Sequence, residues 1–564
     1  MQALLAQATA QHNRGNLSEA ERLYRLVLEK DSHQPDALAL LGLVLAARKE
    51  YAEAVGLLHR AIMCDPQAPL FRLYLGNMQA EMGDREKAIA ALQEALEIEP
   101  NFAEAHYSLA LLWEKQDCLA QAVNHLQEAS RLKPKEGAVW LKLGELSLKT
   151  KDFDIAENAA RTAVRLLPDS FAARVAYALV LGGLYREEEE ITVLREVLEM
   201  RPDFAEAWDM LGTACQNLGR LDEAEAAFHK AIACAGGEVL ADPDKADESA
   251  YRPQHWDLAL LELLRGDFKR GFAHYRARFK NPGRPGRPAF PQPVWSGQEL
   301  AGKKILVVSE QGFGDIFMMC RFAPLLKAKG ARVVFLAPAA AAPLIRMAGL
   351  ADEVISETPS SQGDYDFQTS IFDLPLRFGT TVKTIPSGAP YLPSPWAEGE
   401  RLPSETTKPK IGVVWRGNKE HGNDRARSLP LSVFAALFAE TRAQFYNLTR
   451  ELADGEEEIL RAHNVIDLSQ KLPDFLATAG IVAQLDLVIT CDTAMAHLAG
   501  GMGKKVWTLL PFAPDWRWLL EREDSPWYPS MRLFRQKIKG DWPEAVARAQ
   551  AALERDFLTL NQDL

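Results

Sequence analysis

The chain has 564 residues, 47% of them hydrophobic and 25% charged, a size and balance that fit three or four folded domains and exclude disorder as the default. No run of about 18 apolar residues could cross a bilayer, and the N-terminus MQALLAQATAQHNRG lacks the basic-then-apolar layout of a signal peptide, so the expected compartment is the cytoplasm. The net charge of −12 is uneven: residues 1–280 carry 33 basic and 44 acidic side chains, residues 281–564 carry 32 and 33, and with no basic stripe interleaved with aromatics a nucleic-acid partner is excluded.

Internal repetition governs the first half. Small residues recur at Ala8, Gly42, Gly76, Ala110, Gly144, Ala178 and Gly212, a constant step of 34. A second series runs Ala20, Ala54, Ala88, Ala122, Ala156 and Ala224, with Glu190 as its exception. A third is Pro66, Pro100, Pro134, Pro168 and Pro202, with Ser32 in the first slot. Three registers sharing one period resemble the tetratricopeptide repeat. The resemblance covers residues 1–236 as seven helical hairpins, in which small residues let paired backbones approach and proline ends each second helix. It implies an all-α solenoid whose concave face takes a protein or peptide, or through which the chain self-associates.

After the linker-like GGEVLADPDKADES, residues 255–279 show helical apolar spacing interrupted at RGDF, and the spacing predicts a divergent hairpin capping the array within 237–280. Trp256, Phe272 and Tyr275 are expected in its core. A Pro/Gly-rich linker, 281–302, follows. The chain then alternates strand-like runs (KILVVSE, ARVVFLAP, DEVISE, YDFQTSI) with helical segments to residue 395, breaks at a Pro-rich linker over 396–409, and restarts as KIGVVWRG, AQFYNLT, VIDLS, LDLVIT and KVWTLLP over 410–564, with a closing amphipathic helix in DWPEAVARAQAALERDF. Two such α/β units make a cleft at the carboxyl ends of their strands.

Three segments carry candidate chemistry. EQGFGDIF has neither the third glycine of a dinucleotide fingerprint nor the GK[ST] ending of a P-loop. What remains is a strand, Gly312-x-Gly314-Asp315 and a helix, in which Asp315 is either a helix cap or a carboxylate facing the cleft. In LDLVITCDTAMAHLAGG, Asp492 and Thr493 precede a helix opening at Ala494, with His497 one turn in; the helix start suits a pyrophosphate, while the alternatives are two ordinary caps and a buried core histidine. In VVWRGNKEHGNDRARSLPL, Trp415, Arg416, Gly417 and Asn418 leave a strand, and Arg425 and Arg427 follow in a polar loop where they could meet phosphate oxygens or only solvent.

Together these segments, with KKVWTLLPFAPDWRW, resemble bacterial glycosyltransferases of the heptosyltransferase type, over residues 303 to about 560. With the repeats in front, the layout is similar to O-GlcNAc transferase-like proteins. The resemblance implies a GT-B fold of two Rossmann-like domains, at 303–395 on the acceptor side and 410–564 on the nucleotide-sugar side. It implies a nucleotide-diphosphate sugar as co-substrate, no separate cofactor, and inversion by single displacement. Asp315 maps to the base. Asp492, Thr493, Ala494 and His497 map to the donor site, and Arg427, then Arg416, to the cation facing the phosphates; Gly312, Gly314, Gly417 and Asn418 complete the lining. DYD at 364–366 imitates a DxD metal motif that belongs to a differently built site. The cysteines Cys64, Cys118, Cys215, Cys234, Cys320 and Cys491 form no CxxC pair, so neither zinc nor disulfides are expected.

Overall fold

The structure is a computed structural model that describes the chain except residues 239, 241–247, 282–285, 288–289, 359–363, 387, 389, 396–401, 404–406, 420–421, 441 and 559–564. Most of the linker 396–409 therefore lies outside the described residues. The chain divides into two compact units, Met1–Asp203 and Phe204–Leu564.

The first unit contains six helical hairpins, from Gln2–Asn13 with Leu17–Lys30 to Phe171–Gly183 with Glu187–Met200. Each periodic register has a packing reason. A Cβ on Gly42 would meet the Ala54 carbonyl at 3.2 Å, one on Gly76 the Leu92 side chain at 2.7 Å, and one on Gly144 the Ala160 backbone at 3.2 Å. Ala20, Ala54, Ala88, Ala122 and Ala156 are fully buried opposite them. Glu190 breaks the alanine series and is still buried, because Gly182 leaves room for its carboxylate: a Cβ there would lie 2.8 Å from Oε1. A fourth register, not read from the sequence, tethers the turns. Arg72, His106, Trp140 and Arg174 also recur every 34 residues, and each places a side-chain nitrogen on the carbonyl of the proline six residues earlier.

The second unit begins with the seventh hairpin, Ala205–Asn217 and Leu221–Cys234. A helical hairpin follows: His255–Leu264, then Phe268–His274 capped by Asp267, then a 3₁₀ turn over Tyr275–Lys280. Trp256, Phe272 and Tyr275 are buried, in a core that continues into the α/β part; the Phe268 ring stacks on Trp527 at 5.8 Å. The hairpin is therefore as much a wall of the α/β core as a cap on the repeats.

Two wholly parallel sheets follow. The first has the order β3-β2-β1-β4, from β1 Lys304–Val308, β2 Arg332–Leu336, β3 Glu353–Ile355 and β4 Phe367–Ser370. The second has the order β10-β9-β8-β5-β6-β7, from β5 Lys410–Val414, β6 Gln444–Asn447, β7 Ile466–Asp467, β8 Leu487–Cys491, β9 Val506–Leu510 and β10 Met531–Arg535. Each sheet starts centrally, adds strands to one side and then switches to the other, the winding that opens a crevice at the strands' carboxyl ends. Strand β10, in SMRLFRQ, was not expected. The end of the 281–302 segment also departs from a plain linker: the Trp295 N–H donates to Gln368 at 2.8 Å beside β4, and the Trp295 ring is buried. Asp366 of the DYD string accepts the Lys304 N–H at 2.8 Å and pairs with Lys303, which accounts for it structurally.

Candidate functional site

The loops leaving β1, β5, β8 and β9 at their carboxyl ends supply most of the candidate residues. After β1, Gly312 precedes the helix Phe313–Met319 in an extended conformation and donates its N–H to Asp315 Oδ2 at 3.0 Å. The other carboxylate oxygen accepts from Arg517, which comes from the loop after β9 and also donates to Asp515 at 2.6 Å. Burial opposes the charge on Arg517, yet Asp315 and Asp515 hold its pKa well above the ordinary value, so the guanidinium is a fixed cation. Asp315 is thus both the helix cap and one half of an ion pair joining the β1 loop to the β9 loop.

Gly314 has a role that spacing alone did not reveal. A Cβ there would meet the His497 ring at 2.7 Å and the Ala494 Cα at 3.4 Å, so the glycine permits close packing between the helices Phe313–Met319 and Ala494–Gly501. The space beside it is filled by protein. Gly314→Val is expected to destabilise the chain by about 1–3 kcal/mol through overpacking, read as a lowered Tm, whereas Gly312→Ala, whose Cβ would meet only Asp315 Oδ2 at 3.4 Å, should be close to neutral.

His497 is a buried core histidine. Its Nδ1 lies 2.9 Å from the Tyr528 hydroxyl and its ring stacks on Trp518 at 5.1 Å. Burial, with Arg517, Arg321 and Arg427 nearby, lowers its pKa well below the ordinary value and keeps it neutral. Thr493 does not cap the helix it precedes: its hydroxyl bonds that of Thr490 at 3.0 Å, which leaves the start of Ala494–Gly501 without a side-chain cap. Asp492, beside it, is pushed up to about 6 by burial and by Asp515, with the Trp518 indole, Arg427 and Arg517 pulling the other way.

The two candidate arginines separate clearly. Arg416 turns to the helix Glu456–Ala462, pairing with Glu456 at 2.7 Å and bonding the Glu451 carbonyl, so it buttresses its own loop. Arg427, in the turn Asp424–Arg427, lies against Gly417; a Cβ at that glycine would be 2.6 Å from Nη2. Among the described residues its carboxylate partner is Asp424, 3.5 Å away, and its buried Nε has no hydrogen bond; its charge acts on Asp492 and His497. Asn418 is exposed.

Sequence reasoning missed three contributors. Arg517 stands in the quoted string APDWRW but gave no signal of its pairing. Tyr275 and Arg278, from the capping hairpin, hold the residues just before the glycines: the Tyr275 hydroxyl bonds the Gln311 amide at 2.8 Å, and Arg278 pairs with Glu310 at 2.7 Å and Asp373 at 2.8 Å. Gln311 itself has a positive φ of 65°, a strained conformation stabilised by that contact.

Family models described as tetratricopeptide repeats match residues 5–69, 76–117, 111–170 and 205–237. The N-terminal region is an array of tetratricopeptide repeats. Over nearly its whole length the chain is similar to Protein FlbA of Caulobacter vibrioides, 28% identical across 90% of this chain and 93% of that protein. Anaphase-promoting complex subunit 3 of Schizosaccharomyces pombe is 24% identical over 33% of this chain and 28% of its own length. Human Protein O-mannosyl-transferase TMTC1 is 28% identical over 37% and 24%. Among solved structures, YrrB, described as a tetratricopeptide-repeat protein with an unusual peptide-binding site, is 21% identical with a TM-score of 0.31, covering 32% of this chain and 92% of that one. Among the described residues no helix is long and apolar enough to cross a membrane.

Proposed function

We propose that the chain is a glycosyltransferase of GT-B type that moves a sugar from a nucleotide-diphosphate sugar to an acceptor hydroxyl. The observation that carries this reading is the site around Asp492: a helix start at Ala494 without a side-chain cap, and Arg427, seated on Gly417 and weakly paired among the described residues, whose charge acts on Asp492. A diphosphate leaving group needs such N–H groups and cations where its charge develops. Asp315, across the site, takes the proton of the acceptor hydroxyl as that oxygen attacks the anomeric carbon and the sugar–phosphate bond breaks. The acceptor is a protein or peptide presented by the repeats, whose acidic surface favours basic segments at low salt.

A thermal-shift screen of the full chain against UDP-, GDP-, ADP- and dTDP-sugars tests the donor site, since a ligand at about 100 times its Kd adds roughly 2.7 kcal/mol. One of the four should raise Tm in the wild type and do so less in Arg427→Ala; no shift with any of them removes the reading. A second reading, a repeat scaffold whose α/β part binds without turnover, is favoured by one fact: both oxygens of Asp315 are already committed, to Gly312 and to Arg517. Donor hydrolysis by the purified chain separates the two.

A further inference from the structure

The commitment of Asp315 has a functional consequence. Arg517 stands between two carboxylates, Asp315 and Asp515, and stacks on Trp516 with its Cζ 4.5 Å from the ring centroid. The side chains of Arg517 and Asp315 are only 10% and 14% exposed, so the pair is little screened by solvent. The same guanidinium is bonded to Asp315, whose neighbour Gly314 packs on His497 and on Ala494 at the uncapped helix start, and its charge acts on Asp492 and His497. A base paired to a buried cation is a poor base; a cation held by two carboxylates is a weak phosphate ligand. Both defects are cured by one exchange of partners.

Resting on the donor-site reading above, we infer that Arg517 is a donor-operated latch on Asp315: the diphosphate of the bound nucleotide draws the guanidinium away from Asp315, and the freed carboxylate then accepts the acceptor's proton. Arg517 in that state is a phosphate-binding residue, and donor binding precedes deprotonation of the acceptor. The trigger is a nucleoside diphosphate, whose doubly charged group outcompetes a single carboxylate for the fork of the guanidinium. Asp515 stays with Arg517 throughout and limits how far it moves. No covalent chemistry is added: only an ion pair is exchanged, and its energetic cost is subtracted from the affinity for the diphosphate.

The latch predicts an affinity gain from a damaging substitution. In Asp315→Asn the amide oxygen still caps the helix, but one of the two carboxylates that compete for Arg517 is gone and only Asp515 remains, so a nucleoside diphosphate should bind more tightly than to the wild type, by roughly tenfold. The probes are UDP, GDP, ADP and dTDP titrated calorimetrically into the full chain. Arg517→Gln should weaken the nucleotide that binds by at least about tenfold, and Asp315→Asn/Arg517→Gln should bind like Arg517→Gln, because the gain requires the arginine. The double variant removes one carboxylate together with the cation and so keeps the buried charge balanced should the single Arg517 variant misfold; Arg517→Lys is a further folded control, expected to bind more weakly for want of the planar fork. Unchanged or weaker nucleotide binding by Asp315→Asn, with normal binding by the wild type, overturns the latch alone and marks the pair as a strut. A persistent gain in the double variant overturns it equally. If the wild type binds none of the four diphosphates, the donor-site reading fails and the latch with it.

Discussion

Asp315→Asn is expected to lose sugar transfer or donor hydrolysis by about 10² to 10⁴-fold while the melting temperature stays near that of the wild type. The two halves of this expectation come from different atoms. The cap survives, because an asparagine oxygen can accept the Gly312 N–H as the carboxylate does, and Asn caps helices about as well as Asp. Arg517 also survives, because Asp515 remains beside it at 2.6 Å and no buried cation is orphaned. What is removed is the capacity to take a proton and the charge that Asp315 offers to Arg517. Turnover by the Asn variant within a few-fold of wild type would make Asp315 a structural residue and favour the scaffold reading. A fall in both turnover and melting temperature would mean that the ion pair holds the two loops together.

The repeats were legible because every register there has a local cause. A glycine or alanine facing a helix about one diameter away leaves the same trace at each turn of the array, and 34-residue periodicity survives individual exceptions such as Glu190. The strands were legible for a similar reason: parallel strands buried on both faces read as apolar runs, and all nine expected ones formed. The tenth, MRLFR, escaped because its arginines interrupt the run, as an edge strand tolerates.

The site was legible as a set of positions but not as a set of roles. Glycines at a strand-to-helix turn suggested close approach, and Gly314 does allow one, but to His497 rather than to open space. The two arginines differ through a partner far apart in sequence: Glu456, from another element, claims Arg416, while among the described residues Arg427 has only the local Asp424 at 3.5 Å. Arg517 was missed for the same reason, since its partner Asp315 is 202 positions away. Pairings at that separation leave no periodic mark, and a single chain offers no other record of them.

Arg278→Met is expected to be the most damaging of the structural substitutions, costing about 3–5 kcal/mol. The guanidinium is 2% exposed and serves Glu310 at 2.7 Å, Asp373 at 2.8 Å and the Ser370 hydroxyl at 3.1 Å. Its removal leaves Glu310 without this charge partner and Asp373 with Arg287 alone, at 3.0 Å. Burial by itself would raise the Asp373 pKa, but Arg278 and Arg287 together hold it down at about 2. An unfolded aspartate titrates near about 3.9, so the wild-type contribution is complete above roughly pH 5 and is lost as pH falls from about 4 through about 2. Without Arg278 the folded pKa rises toward or past the unfolded one, and the acid limb of the stability curve should move to higher pH. Melting curves of Arg278→Met and of Arg278→Met/Glu310→Gln between neutral pH and about pH 3 read this directly. The double variant should recover part of the loss at neutral pH, because it discharges the orphaned carboxylate. Because Glu310 and Gln311 lead into Gly312, the same substitution should also weaken nucleotide binding at temperatures where the chain is folded. Intact binding there would show that the capping hairpin stabilises the α/β core without positioning the glycine loop.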